Sequence, residues 1–317
     1  MSLPSFAIVG AGLAGLTCAH TLKEAGISSL LFDKARGPGG RLASRRRLDT
    51  TLDLGCQALS ARQPEFRQQL EDWEHQGLVQ PWQEQADHWC ALPRMSALTR
   101  SLAEKQELMT STRIQRLMRQ EDGSWMLDDE RGQLWGPFKG VILATPASQA
   151  APLLQPLSTS LYASVQAVEE QPLWVGYFIA PPGLQPGKSL LQPASPELRR
   201  ITCLNGKPGQ ASDLQRWVVE ASPEWSRVHL EATAAEVASA LFELFKQEAG
   251  SSACSRLLLL EAHRWLYGQA VNPLGVGYLS DPALRLYVIG DYCQGSDAEA
   301  AWNSGRLLGK ALRKTIQ

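Results

Sequence analysis

The stretch Phe6-Ala7-Ile8-Val9-Gly10-Ala11-Gly12-Leu13-Ala14-Gly15 decides how this chain is read. Four apolar residues run into a Gly-x-Gly-x-x-Gly turn, after which Leu16, Ala19 and Leu22 recur at helical spacing. A second apolar run, Ser29-Leu30-Leu31-Phe32, then ends in Asp33. Strand, glycine turn, helix, strand and acid in this order form a dinucleotide-binding pattern. Gly10 permits the tight turn, Gly12 lets a pyrophosphate approach the backbone, and Gly15 lets helix and strand pack closely. Phosphate oxygens would accept from N–H groups at the positive end of the helix, and Asp33 would accept from ribose hydroxyls. Without those neighbours the glycines would read only as a strand–helix turn.

The residues after Phe32 separate the possible dinucleotides. A plain NAD domain would continue with strand, helix and strand. This chain gives Asp33-Lys34-Ala35-Arg36-Gly37-Pro38-Gly39-Gly40-Arg41, a second glycine cluster flanked by cations. Arg36 and Arg41 suit pyrophosphate, because the guanidinium fork matches phosphate oxygens. Near the other end, Leu286-Tyr287-Val288-Ile289 runs into Gly290-Asp291, and a helical pattern starts at about Ala298. Contacts from both ends of the chain suit extended FAD, with adenosine near Asp33 and its ribityl or pyrophosphate part near Asp291. Arg45-Arg46-Arg47, just beyond the second glycine cluster, reads as a solvated loop.

Composition narrows the classes. Among 317 residues, 31 Lys and Arg stand against 32 Asp and Glu, which gives no charge excess for nucleic acid or anionic lipid. Six cysteines (Cys18, Cys56, Cys90, Cys203, Cys254, Cys293) lie scattered without a CxxC pair, as suits reduced thiols rather than a disulfide frame or a zinc site. No secretory pattern and no membrane-length apolar run are evident, so the expectation is a soluble cytoplasmic protein with no nucleic-acid or membrane partner.

Along the chain, helical patterns fall over residues 64–79 and at Met95, Leu98 and Leu102. Short runs at Ile114-Gln115-Arg116-Leu117, Trp125-Met126-Leu127 and Leu134-Trp135 alternate with turn residues, as in a β-meander. Val141-Ile142-Leu143-Ala144 reads as a buried strand. From about 151 the texture changes to proline-rich loops (Pro181, Pro182, Pro186, Pro193, Pro196, Pro208), with strands at 174–179 and 217–220 and a helix from about Ala234 to Glu248. The predicted organisation is an interrupted cofactor domain (residues 1–60, 93–150 and 279–317) and a second domain (61–92 and 151–278). A catalytic site is expected between them, where ligand sites commonly form.

On these residues the chain resembles the flavin-containing amine oxidase superfamily and, within it, the bacterial renalases. The resemblance covers nearly the whole chain. It rests on Phe32-Asp33-Lys34 with Arg36-Gly37 and Gly39-Gly40-Arg41, and on Leu52-Asp53-Leu54-Gly55-Cys56-Gln57. It continues in Pro93-Arg94-Met95-Ser96-Ala97-Leu98, Ala144-Thr145-Pro146, Ala262-His263-Arg264-Trp265-Leu266-Tyr267 and Gly290-Asp291-Tyr292-Cys293. It implies an α/β fold: a Rossmann-like FAD-binding domain of the GR2 type, interrupted by an α+β substrate domain with a mixed sheet. It also implies a non-covalent FAD oxidase that takes hydride from 2- or 6-dihydro isomers of NAD(P)H and passes electrons to O2, giving hydrogen peroxide. The implied FAD contacts are Gly10, Gly12, Ala14, Gly15, Asp33, Lys34, Arg36, Gly40, Arg41, Gln57, Ala58, Ile114, Asp291, Glu299 and Ala300. Two positions depart from the family pattern: Asp297 stands where arginine is usual, and Ala300 where glycine is. The stretch before Pro93 is also shorter.

Hydride transfer needs little acid–base help, because the cofactor carries the chemistry and the protein orients and excludes water. No triad is expected and none is evident. The N-terminus of the helix near Ala298 could stabilise anionic reduced flavin through its dipole. His263, Arg264, Trp265 and Tyr267 are the substrate-side candidates: Arg264 for a phosphate, and Trp265 or Tyr267 for stacking on a pyridine ring. They could equally be core residues of a second-domain strand. The ten tryptophans are spread along the chain and read mostly as core or cavity wall. Cys293 does not sit where a flavin tether is expected. Lys188, Lys207 and Lys246 fall in loop or surface-helix contexts, which argues against amine oxidation. Two alternatives remain, an amine oxidase or desaturase on the same scaffold and a non-catalytic flavin-holding redox sensor.

Overall fold

Phe6–Val9 is central in a six-stranded sheet, because its four side chains are apolar and buried on both faces. In this computed structural model, which describes residues 5–182, 189–249 and 256–316, the sheet order is Leu279–Asp281, Leu286–Val288, Gly140–Leu143, Phe6–Val9, Ser29–Phe32 and Glu107–Met109. The inner pairings are parallel, with Val9 opposite both Leu143 and Phe32. Leu279–Asp281 runs antiparallel at one edge, so the sheet is mixed. The helices Leu13–Glu24 and Ala298–Ile316 share one core cluster, in which Leu16, Ala19 and Leu22 meet Leu308 and Leu312.

The expected meander forms an antiparallel sheet with Trp125–Asp129 between Ile114–Arg119 and Leu134–Phe138. The predicted helices appear as Pro64–His75, Met95–Glu104 and Ala234–Ala249. Among the described residues, no helix is long and apolar enough to cross a membrane.

The chain divides into two compact units: residues 1–40, 99–170 and 270–317, and residues 41–98 and 171–269. The interrupted organisation therefore has divisions that differ from those expected at 60, 93, 150 and 278. Residues 41–60 go with the second unit, because the hairpin Ser44–Arg47/Thr50–Asp53 brings Leu52 into a core with Val175, Tyr177, Ile179 and Val218. Arg45-Arg46-Arg47 is thus a strand and not the solvated loop expected. Its turn, Leu48-Asp49, has φ of 45° and 57°.

The second unit is built on a five-stranded sheet ordered Leu190–Leu191, Leu198–Cys203, Gln215–Ala221, Glu170–Ala180 and Leu259–Ala270. Alternate residues face opposite sides. Trp174, Phe178, Trp217 and Ala262 pack under the helix Ala234–Ala249, with Phe178 and Phe245 centroids 4.7 Å apart. On the other face, Val175, Tyr177, Leu259 and Trp265 meet Leu52 and Leu54. Cys254, Pro186 and Lys188 lie outside the described residues.

Candidate functional site

The glycine turn is built for a close approach to backbone. Gly10 has φ +113°, and a Cβ there would stand 2.5 Å from the Ala144 carbonyl oxygen, so no other residue fits. Gly12 precedes the helix Leu13–Glu24 with no side-chain cap, and a Cβ at Gly12 would meet nothing within 4 Å. The first-turn N–H groups of Leu13, Ala14 and Gly15 have no intrahelical acceptor by helix geometry. Open space at Gly12 therefore coincides with an unsatisfied positive helix end.

Asp33 latches this turn. Its Oδ2 accepts from Ala11 N at 2.8 Å and its Oδ1 from Ala35 N at 2.8 Å. Burial raises its pKa, and the two backbone donors and Lys34 work against that rise. Each oxygen keeps a further lone pair for a hydroxyl donor. The second glycine cluster lies against the first: Gly39 N donates to Ala11 O at 2.9 Å, and a Cβ on Gly40 would stand 3.7 Å from Gly12 Cα. Ile114 is buried two residues beyond Thr112, whose N–H donates to Asp33 O at 2.9 Å. Lys34 reaches Gln149 Oε1 at 3.0 Å, and Arg36 is exposed.

The late candidates lie in the same unit. Gly290 N donates to Ser304 Oγ at 3.2 Å, and the buried Asp291 opens a short 3₁₀ turn. Asp297 is the helix N-cap: its Oδ1 accepts from Ala300 N at 3.0 Å. Glu299 is buried in the first turn. Asp297 and Glu299 thus both stand at the positive end of this helix. Cys293 is wholly buried, and burial pushes its thiol up to about 12.

Arg41, Gln57 and Ala58 belong to the second unit. Arg41 Nη1 donates to Gly268 O at 3.2 Å, and Gln57 is buried with Nε2 donating to Asp53 O at 2.6 Å. Ala58 O accepts from the Cys56 thiol at 3.0 Å.

The structure separates the four substrate-side candidates. His263, Trp265 and Tyr267 alternate with Arg264 along Leu259–Ala270, so Arg264 faces the helix side, 5.4 Å from the Trp174 ring centroid, and donates to the Leu230 carbonyl. Both His263 and Arg264 border a shallow depression of about 530 Å³ shared with Trp174, Glu231 and Thr233. A phosphate role for Arg264 has to compete with these two existing partners.

The other face carries a polar cluster that the sequence reading missed. Arg45 donates from Nη1 to the Tyr177 hydroxyl at 2.6 Å and from Nη2 to His263 Nδ1 at 3.3 Å. Tyr177 donates to Glu261 Oε2 at 2.5 Å, and Arg47 Nε reaches both Glu261 oxygens at 3.0 and 3.1 Å. Because a guanidinium only donates, His263 Nδ1 accepts and its proton sits on Nε2. Burial, with Arg45 adding to it, lowers the His263 pKa to about 4. Its ring meets Trp265 edge-on at 4.5 Å. The period-two spacing of Arg45 and Arg47 was the available signal.

Beneath the hairpin, Asp53 accepts from Lys207 Nζ at 2.7 Å, Gln210 Nε2 at 2.6 Å, Ser44 Oγ at 2.6 Å and Met95 N at 3.1 Å. Burial pushes the Asp53 pKa up, but Lys207 and the other donors outweigh it and hold the carboxyl below its ordinary value. Lys207 is therefore not the solvated loop lysine expected from sequence.

The profile of the NAD(P)-binding Rossmann-like domain matches residues 8–73. Among solved structures, the chain is similar to a provisionally named protoporphyrinogen oxidase from Exiguobacterium sp. 255-15, at 14% identity and a TM-score of 0.75, covering 99% of this chain and 100% of that one. It is also similar to putrescine oxidase: a triple mutant redesigned in cofactor binding (12% identity, TM-score 0.71, 99% of both chains) and the wild type bound to putrescine (12%, 0.68, 98% and 99%). These likenesses establish a shared fold: a Rossmann-like domain with a mixed sheet, interrupted by a second unit.

Proposed function

We propose that this chain is an FAD-dependent oxidase, holding its cofactor without a covalent bond, that takes hydride from 2- or 6-dihydro isomers of NAD(P)H and releases NAD(P)+. The observation that carries the cofactor assignment is the open approach at Gly12 beside the latched Asp33. When bound, the flavin supplies a hydride acceptor at N5 and a route for the electron pair to O2, giving hydrogen peroxide. The N–H groups of Leu13, Ala14 and Gly15 take the pyrophosphate charge, and the remaining lone pairs of Asp33 take ribose hydroxyls. Asp291 and Glu299 serve the other end of the cofactor. The buried Cys293 thiol, pushed up to about 12, supports a cofactor without a thioether.

A dihydropyridine already carries a weak C–H bond and needs stacking, desolvation and no base. The neutral His263 beside Trp265 suits that role, since neither group has to move a proton. Amine oxidation on this scaffold is the second reading. Lys207 is buried as that reading would like, but its ammonium is held in the ion pair with Asp53.

Stopped-flow absorbance under anaerobic conditions tests the proposal. The isomers should bleach the oxidised flavin band within seconds, and peroxide should appear once air is admitted. Ordinary 4-dihydro-NADH, putrescine and aryl amines should bleach it far more slowly. Rapid bleaching by an amine, with none by the isomers, overturns the reading in favour of the amine oxidase. A flavin that none of these compounds reduces favours the redox sensor.

A further inference from the structure

We infer that Arg45, held between the Tyr177 hydroxyl and the His263 ring, is the group that selects an anionic, phosphate-bearing substrate and turns away cationic amines. This deepens the proposed hydride-donor reading and rests on it for the identity of the anion. Charge in the cluster is unevenly distributed. Two guanidiniums, Arg45 and Arg47, stand against one carboxylate, Glu261. Glu261 gives both oxygens to Arg47 and one of them also to Tyr177. The bonds of Arg45 go to a phenol and an imidazole, and it acts on Glu261 only at a distance, whereas Arg47 takes both carboxylate oxygens.

His263 does not add a second uncompensated charge, because its lowered pKa keeps it neutral near pH 7. The cluster then carries one net positive charge. Arg45 is half-buried, where a cation is less screened than in open water. Of its five N–H donors, Tyr177 and His263 use two, which leaves three for a bidentate oxyanion. Trp265 meets the His263 ring edge-on, so an aromatic side chain lies one residue removed from that cation. A phosphate-bearing ligand with a flat ring matches this pairing of charge and aromatic surface. An alkyl diammonium does not, since it meets a like charge with no carboxylate to spare.

Alternation along the hairpin provides an internal control, because Arg46 is exposed and lies in the same triplet. Isothermal titration of the flavin-loaded enzyme with ADP-ribose, which carries a pyrophosphate and donates no hydride, tests the inference, with putrescine as the cationic probe. Wild type should bind ADP-ribose, more weakly as salt rises, and show no heat with putrescine. Arg45→Gln should weaken ADP-ribose about tenfold to a hundredfold, the loss of one charge-assisted contact. Arg45→Lys should keep most of the affinity, and Arg46→Gln all of it. Glu261→Gln removes the cluster's carboxylate and should bind ADP-ribose as tightly as wild type or tighter.

A purely structural role predicts the opposite for Glu261→Gln, a loss like that of Arg45→Gln, and that result overturns the inference. So does wild-type affinity in an Arg45→Gln protein with native near-ultraviolet circular dichroism, absence of ADP-ribose binding to wild type, or preferential binding of putrescine. Should Arg45→Gln fail to fold, Arg45→Lys and Glu261→Gln carry the same decision. Failure of the isomers to bleach the flavin, with Arg45-dependent ADP-ribose binding intact, defeats the proposed reaction and leaves this selectivity standing. Bleaching with an unchanged KM in Arg45→Gln does the reverse.

Discussion

Lys207 Nζ lies 2.7 Å from Asp53 Oδ2, with side chains 0% and 1% exposed, so a complete ion pair is sealed inside the second unit. Taking both charges out of water is costly, and the pair persists because Asp53 is saturated by Ser44, Met95 N and Gln210 as well. Those partners tie the hairpin, the start of the helix Met95–Glu104 and the loop after Leu204–Gly206 to one carboxylate.

Breaking the pair on one side leaves a buried charge without its partner. Lys207→Met or Asp53→Asn should each destabilise the protein by about 3–5 kcal/mol, and the double change to apolar residues should recover part of that loss. Urea titration of the four proteins closes the cycle. Additive losses would show that the two charges do not depend on each other. The Asp53 pKa lies below its ordinary value, so its stabilisation is complete above about pH 4 and drains as pH falls further. Asp53→Asn should lack that acid limb.

His263 gives a second, separate pH window. Its folded pKa of about 4 lies below the ordinary 6.5, so between those values the unfolded chain binds more protons than the native one. The stability that His263 contributes is therefore present above about pH 6.5 and is lost as pH falls towards 4. His263→Gln should flatten the urea midpoint across that interval, and an imidazole resonance titrating near 4 should vanish from the proton spectrum. A ring that titrates near 6.5 contradicts a neutral histidine held by burial and Arg45.

Two glycines of one turn should answer differently to the same methyl group. Gly10→Ala forces a Cβ against Ala144 at positive φ and should cost about 1–3 kcal/mol whether or not flavin is present. Gly12→Ala places its methyl in open space, so the flavin-free protein should melt at or slightly above the wild-type temperature. FAD affinity should nevertheless fall about tenfold or more, as when one charge-assisted contact is lost. Thermal melts with and without FAD, together with fluorimetric titration of FAD against FMN, check both. Equal affinity for FMN would detach Asp33 and Gly12 from any adenosine role.

Legibility of the site varied with the range of each residue's contacts. Asp33 and the turn at residues 10–15 could be read directly, because strand, turn, helix and acid follow one another along the chain, although Gly10 also answers to the distant Ala144. Within His263-Arg264-Trp265 only the outer two share a face, because adjacent residues on a strand point to opposite faces. Arg45 and Arg47 were hidden by their turn. A two-residue hairpin with both φ positive usually announces itself as Asn-Gly or Asp-Gly, and here it is Leu48-Asp49.

By itself, then, the sequence determined the Rossmann-like order of elements, since strand, glycine turn, helix and second strand follow one another without interruption over residues 6–32. It also determined that the chain leaves that sheet and returns to it. Tertiary structure alone decided which polar and charged groups meet. Asp53 and Lys207 are 154 residues apart, Arg45 and His263 are 218 apart, and Tyr177 and Glu261 are 84 apart. Whether a charge ends buried, paired or left over depends on strand order and on which face each residue takes. Those are properties of the assembled sheet and have no signature at any single position along the chain.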